Sequence, residues 1–223
     1  MTVVEPRPSA TVVLLRDVAG EIEVLLVRRH ESLAFHGGAW VFPGGRIEPS
    51  DRERSGADGV EAARNAAVRE AREETGLSLE PASLRPFAEW VTPEELPKRF
   101  RTWFFVARVS GAKVRIDGGE VVDHSWISPA RALAARREGA MDLPPPTFVT
   151  LTHLASHATA QSAIAALTSR GIVPFYPRVH KNRDGGCMLY QGDVAYETGD
   201  LATLGARHRL YIVGNDWRYE RNF

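Results

Sequence analysis

Cysteine is almost absent: Cys187 is the one thiol in 223 residues. That excludes an intrachain disulfide and a zinc cluster built on cysteines. Long apolar runs are missing too, and no stretch approaches the roughly 20 residues a membrane-spanning helix needs. There is no excess of either charge, because 28 Lys and Arg offset 28 Asp and Glu. Nonspecific attraction to nucleic acid or to a membrane surface therefore has no electrostatic basis, and neither partner is expected. Residues 1–10 carry Glu5 and Arg7 and no hydrophobic segment, so no secretory signal is expected. The final Arg-Asn-Phe is not a peroxisomal address. A cytoplasmic location follows as the simplest expectation. Repeats and low-complexity tracts are also lacking.

What remains is a chain with 43% hydrophobic residues, enough for a packed core. Residues 10–16 (ATVVLLR) and 22–28 (IEVLLVR) read as a β-hairpin turning through Gly20. Residues 40–42 form a short strand, stopped by Pro43-Gly44-Gly45, and a polar stretch covers 48–59. The clearest helix follows. Asp58 is its candidate N-cap with Glu61 three residues on, alanines fill 62, 63, 66, 67 and 71, and Gly76 is the stop signal. Further strands are expected at 87–91, 102–109 and 121–127, and a helix at 129–138. Pro144-Pro145-Pro146 suggests a boundary, with one domain at 1–148 and an extension at 149–223. In the extension a helix is expected over 150–170, then strands at 173–179, 187–189 and 210–213. Trp217, Tyr219 and Phe223 are candidates to cover a core edge or a homodimer contact. The fold class is α/β, with a mixed α+β sheet.

The chemistry concentrates in Arg69-Glu70-Ala71-Arg72-Glu73-Glu74-Thr75-Gly76-Leu77. On a helix, Glu70, Glu73 and Glu74 are related as i, i+3 and i+4 and project from one side. Three carboxylates so placed repel each other unless a cation sits among them, and Mg2+ or Mn2+ prefers such oxygens. Arg69 lies one turn before Glu73 and can orient it through a charge-assisted hydrogen bond. A salt-bridged, solvated helix face is the plain alternative for this string taken alone, as an ordinary turn is for Gly44-Gly45.

With its surroundings, the string resembles the Nudix box: glycine, five residues, glutamate, seven residues, then Arg-Glu-aliphatic-x-Glu-Glu-x-Gly-aliphatic. Seven residues separate Glu61 from Arg69, as that pattern asks. Fifteen residues separate Gly45 from Glu61 where the pattern has five, an insertion of ten in the polar stretch. Such an insertion costs little loop entropy. The resemblance implies a Nudix-type α/β/α sandwich with a C-terminal α+β extension, and a metal-dependent hydrolase of diphosphate bonds in nucleotide-derived small molecules. It implies metal ligation by Glu70, Glu73, Glu74 and the carbonyl of Gly44, and a catalytic set of Arg69, Glu73 and Glu120. Glu120 is taken from EVVDHSWIS, with Glu94, Glu95 and Asp123 as other candidates for the acid outside the box.

For the substrate, residues 38–45, 90–107 and EVVDHSWISPARAL resemble the coenzyme A and acyl-CoA diphosphatase subgroup. Ala34 stands where that subgroup usually has an arginine. Pro93 is near the position of a proline in ADP-ribose hydrolases, which keeps a nucleoside-diphosphate-sugar substrate open. A Nudix-fold module that binds a nucleotide without cleaving it is a third reading. Lys98 and Arg99 are candidate substrate-phosphate ligands.

Overall fold

The structure is a computed structural model, and it describes residues 4–53, 59–111, 113–116, 118–182 and 185–223. Its frame is an eight-stranded mixed sheet. Strand β1 (Arg7–Val18) pairs antiparallel with β2 (Glu21–Arg29) through Leu15 to Val18, and parallel with β6 (Phe100–Arg108) along its other edge. β5 (Arg85–Val91) continues the sheet beyond β6. The first half of β1 is left free by β2 and pairs instead with β4 (Gly44–Arg46), while β3 (Trp40–Val41) and β7 (Val121–Ile127) flank the far half of β2. The split between β1 and β2 therefore admits the Phe42–Arg46 turn between two buried strands.

Both faces of this sheet are covered, which explains why β1 and β2 read as continuous apolar runs. Along β1, Val12 and Leu14 enter one core and Val13 and Leu15 the other. The first core is closed by α2 (Val60–Thr75), whose Ala62, Ala63, Ala66, Ala67 and Ala71 are all buried. Small side chains there let the helix backbone lie close to the sheet. The helix ends at Gly76, which adopts the left-handed conformation (φ 70°) that glycine accepts without steric cost. The opposite core is closed by α3 (Pro129–Arg137), α4 (Pro145–Leu154) and α5 (Ala160–Thr168). The three-layer α/β/α arrangement is thus as expected. It carries an additional antiparallel sheet of four strands: β9 (Arg178–Asn182), β10 (Gly185–Leu189), β11 (His208–Val213) and β12 (Asp216–Arg221).

Several local expectations need correction. The single helix expected over 150–170 is two. α4 starts at the prolines, with Pro145 in its first turn, and α5 has its own N-cap, Thr159, whose hydroxyl accepts from the Ser162 amide at 3.2 Å. The prolines therefore begin a helix, which runs through position 148. The strand expected at 173–179 is interrupted at Tyr176-Pro177: β8 (Val173–Phe175) joins the edge of the main sheet beside β5, and β9 belongs to the second sheet. The polar stretch contains a short helix, α1 (Pro49–Glu53). Gly59 occupies the N-cap position of α2, and Asp58 lies outside the described residues.

Candidate functional site

The acidic end of α2 lies against the β3–β4 turn. Thr11 fixes that turn from β1: its hydroxyl donates to the Pro43 carbonyl at 2.7 Å, and the Val12 amide donates to the same oxygen at 3.0 Å. Gly44 then donates its amide to Glu74 Oε2 at 2.9 Å. Both glycines are required by close approach. A Cβ on Gly44 would lie 2.6 Å from Thr11 Cα, and one on Gly45 would lie 2.5 Å from Glu70 Cδ. The turn thus presents bare backbone to two carboxylates.

Glu70, Glu73 and Glu74 are not equivalent. Glu74 continues the buried alanine stripe and is only 6% exposed. Burial pushes its carboxyl up to about 8; the Gly44 amide opposes this, Glu70 and Glu120 add to it, and Arg29 at the end of β2 works against it. The Glu70 carboxyl is also raised, chiefly by burial, against Arg69 and with Glu73 and Glu120 adding repulsion. Glu73 is half exposed at the outer margin. Glu120, at the entry to β7, thus lies near enough to act on both Glu70 and Glu74, and its carbonyl accepts from the His30 amide at 2.8 Å.

Arg69 ties this face together. Nη1 donates to Glu70 at 2.8 Å and to Glu73 at 2.9 Å, while Nη2 donates to the Arg46 carbonyl at 2.9 Å and to Asp51 Oδ2 at 3.0 Å. Asp51 had not been foreseen. Its side chain is fully buried, and Oδ2 also accepts from the Glu48 amide at 2.9 Å, closing the first turn of α1. Asn65 of α2 donates to the Asp51 carbonyl at 3.0 Å. The signal was present in Glu48-Pro49-Ser50-Asp51, which has a proline at the first helical position and an acid two residues on. Arg29 was also missed, although Arg28-Arg29 ends an apolar strand.

Lys98 is exposed on the β5–β6 turn. Arg99 is buried, and its guanidinium donates to the carbonyls of Thr92 at 3.1 Å and Val4 at 2.7 Å. Glu94 and Glu95 are exposed on the same turn, and Asp123 lies in β7, where Oδ1 accepts from the His124 amide. Trp90 is in the core, stacked on Phe175 with ring centroids 3.9 Å apart.

Among the described residues, no three histidine, cysteine, aspartate or glutamate side chains are gathered closely enough to hold a metal ion as they stand. Glu70 and Glu74 are instead satisfied by Arg69 and by the Gly44 amide. The donor chemistry still fits a hard divalent cation. A buried and a half-buried carboxylate, both held above their ordinary range, abut a backbone turn with no side chain in the way.

The NUDIX domain family matches residues 5–145 of the chain. Among solved structures, a NUDIX hydrolase from Alicyclobacillus acidocaldarius is 27% identical with a TM-score of 0.67, the match covering 74% of this chain and 98% of that one. The NUDIX domain of Shewanella oneidensis NrtR, solved with ADP ribose, is 19% identical with a TM-score of 0.51 and covers 67% of this chain and 86% of that one. No curated protein matches in sequence. No helix among the described residues is long and apolar enough to cross a membrane.

Proposed function

The chain belongs to the NUDIX family of diphosphate-bond hydrolases, and from that premise we propose that it cleaves coenzyme A or an acyl-CoA with a divalent cation bound at the acidic end of α2. The observation that carries the site is the apposition of Glu70 and Glu74 to the Gly44-Gly45 turn. Glu70 and Glu74, with Glu73 and the Gly44 carbonyl, would hold Mg2+ or Mn2+. When bound, such a cation neutralises charge on the diphosphate and lowers the pKa of the attacking water. Water forms a new bond to phosphorus, the bridging P–O bond breaks, and two phosphomonoesters leave. Glu73 and Glu120 are the residues we assign to accept the water's proton. Arg69 holds Glu70 and Glu73 in register. Lys98 would meet substrate phosphate directly from its exposed position, and Arg99 would serve by fixing the turn that presents it. We take residues 1–148 as the hydrolase domain and 149–223 as its extension.

Support for the coenzyme A class is the likeness of residues 38–45, 90–107 and 120–133 to that subgroup. The test compares kcat/KM for coenzyme A, an acyl-CoA, ADP-ribose and NADH at equal Mg2+ or Mn2+. Preference for a coenzyme A thioester or thiol supports the assignment. A preference for ADP-ribose replaces it with the nucleoside-diphosphate-sugar reading. Ligand binding without turnover on any of the four points to a binding module instead.

A further inference from the structure

The face of the sheet opposite α2 carries a second concentration of charge, distinct from the acidic site. A cavity of about 310 Å³ opens between β5, β8, α4, α5 and β12. Its walls are apolar, with Phe87, Trp90, Val149, Leu167, Val173 and Phe175. Every ionisable side chain in its lining is a base: His153, His157, Arg170 and Arg221. Among the described residues, no aspartate or glutamate lines it. The bases come from four places, namely α4, the turn after it, the turn after α5 and the end of β12.

This cluster is electrostatically uncompensated. Among the described residues, neither Arg170 nor Arg221 has a carboxylate within ion-pair distance, whereas the buried Arg209 is paired with Asp193 at 2.5 Å. Nε of Arg221 is buried without a hydrogen-bond partner, while the rest of that guanidinium lies beside the Tyr219 hydroxyl. His153 packs edge-on against Tyr219, with ring centroids 5.2 Å apart. Burial pushes His153 down to about 4, and Arg221, Arg170, His208 and His157 all push the same way. A guanidinium N–H left unpaired away from water is costly, and an anion facing Arg170 and Arg221 offsets their charge. An inorganic anion would leave the six apolar walls without a partner. The volume is at the lower end of small-molecule sites.

We propose that this cavity is a binding site for a small organic anion, a phosphate or carboxylate carried on an apolar body, with Arg170 and Arg221 meeting the anionic oxygens. Most of the site is made by residues beyond 145, outside the part of the chain that the NUDIX family matches.

The test uses the full chain without metal, so that the acidic site does not compete for phosphate. Phenyl phosphate and benzoate are titrated by calorimetry, and the His153 and His157 ring protons are followed by NMR. At least one probe is expected to bind saturably and shift both rings along the same curve. Two variants test the location while avoiding the packed interior: Arg170→Glu in the exposed turn after α5, and Ala166→Trp, exposed on α5 beside the cavity. Each is expected to weaken binding at least tenfold, with the melting temperature unchanged. The proposal is overturned if neither probe binds, or if affinity survives both substitutions. It is equally overturned if the histidine rings stay silent while heat is released.

Discussion

The two glycines of the β3–β4 turn are adjacent and equally small, yet the structure assigns them opposite sensitivities. In Gly45→Ala the new methyl would collide with the Glu70 carboxylate, 2.5 Å away at Cδ. That group is the free end of a side chain with three rotatable bonds, so it can swing aside at the cost of its 2.8 Å bond from Arg69. One charge-assisted hydrogen bond is worth about 1.5–3 kcal/mol, part of it recovered from water. Folding should therefore lose about 1 kcal/mol or less, a change of roughly 2–4 °C in melting temperature for a chain of this size. Activity should suffer far more, since displacing an acid by about an ångström can cost on the order of a hundredfold in rate. In Gly44→Ala the obstacle is backbone: the methyl would sit 2.6 Å from Thr11 Cα, where β4 pairs with β1. Nothing there can rotate away, so β4 must move, and overpacking of this kind costs about 1–3 kcal/mol. Thermal melts and steady-state kinetics on the two variants separate the effects. Equal melting losses for both, or a fully active Gly45→Ala, would refute the placement of Glu70 against the turn.

Asp51→Asn keeps the size of the side chain but places an amide NH2 among donors from Arg69 and Glu48. It should cost about 2 kcal/mol of stability and lower kcat with little change in KM, read from a melt and a saturation curve. Glu74→Gln should reduce turnover at least a hundredfold, about 3 kcal/mol of transition-state stabilisation, while the fold survives because a buried repulsion is removed; wild-type activity in this variant would displace the site. Acidification should destabilise the protein through His153 and His208. The unfolded chain takes up these protons from about pH 6.5 and the folded chain only near 4, so each contributes up to about 3 kcal/mol of loss across that window. Around His153 the facing groups are Arg221, Arg170, His208 and His157, and His153→Phe should flatten part of the fall in melting temperature between pH 7 and 4.

The box helix was legible because its signals are local. Alanines at i, i+3 and i+4 and clustered acids all fall within one 16-residue element, and a glycine follows it directly. Asp51 was obscure for the opposite reason. A lone acid in a polar stretch looks solvated until the fold brings Arg69, eighteen residues away, onto it. The two helices of the extension were merged because both are apolar and only a short stretch separates them, and periodicity alone cannot see Thr159 capping the second. β12 was missed as a strand although Trp217, Tyr219 and Arg221 alternate after Gly214-Asn215, a hairpin signal between two strands. The basic cavity had no signature at all, because its four bases are spread from 153 to 221.

β8 has a consequence for how the chain must be handled. It is only three residues long, but it lies along the outer edge of β5 through Ala88, Glu89 and Trp90. Below it, Phe148, Val149, Leu151, Leu154, Ala160, Ala163 and Phe175 share one core with Val13, Val24 and Leu26 of the first hairpin. Cutting the chain after Phe148 would sever α4 in mid-helix, bare a row of backbone donors and acceptors on β5, and uncover the aromatic faces of Phe87 and Trp90. An exposed strand flanked by large apolar side chains invites pairing with its copies. The segment recognisable by family is therefore a poor unit for expression: it should self-associate, and the extension acts as the shield that keeps its sheet from becoming sticky.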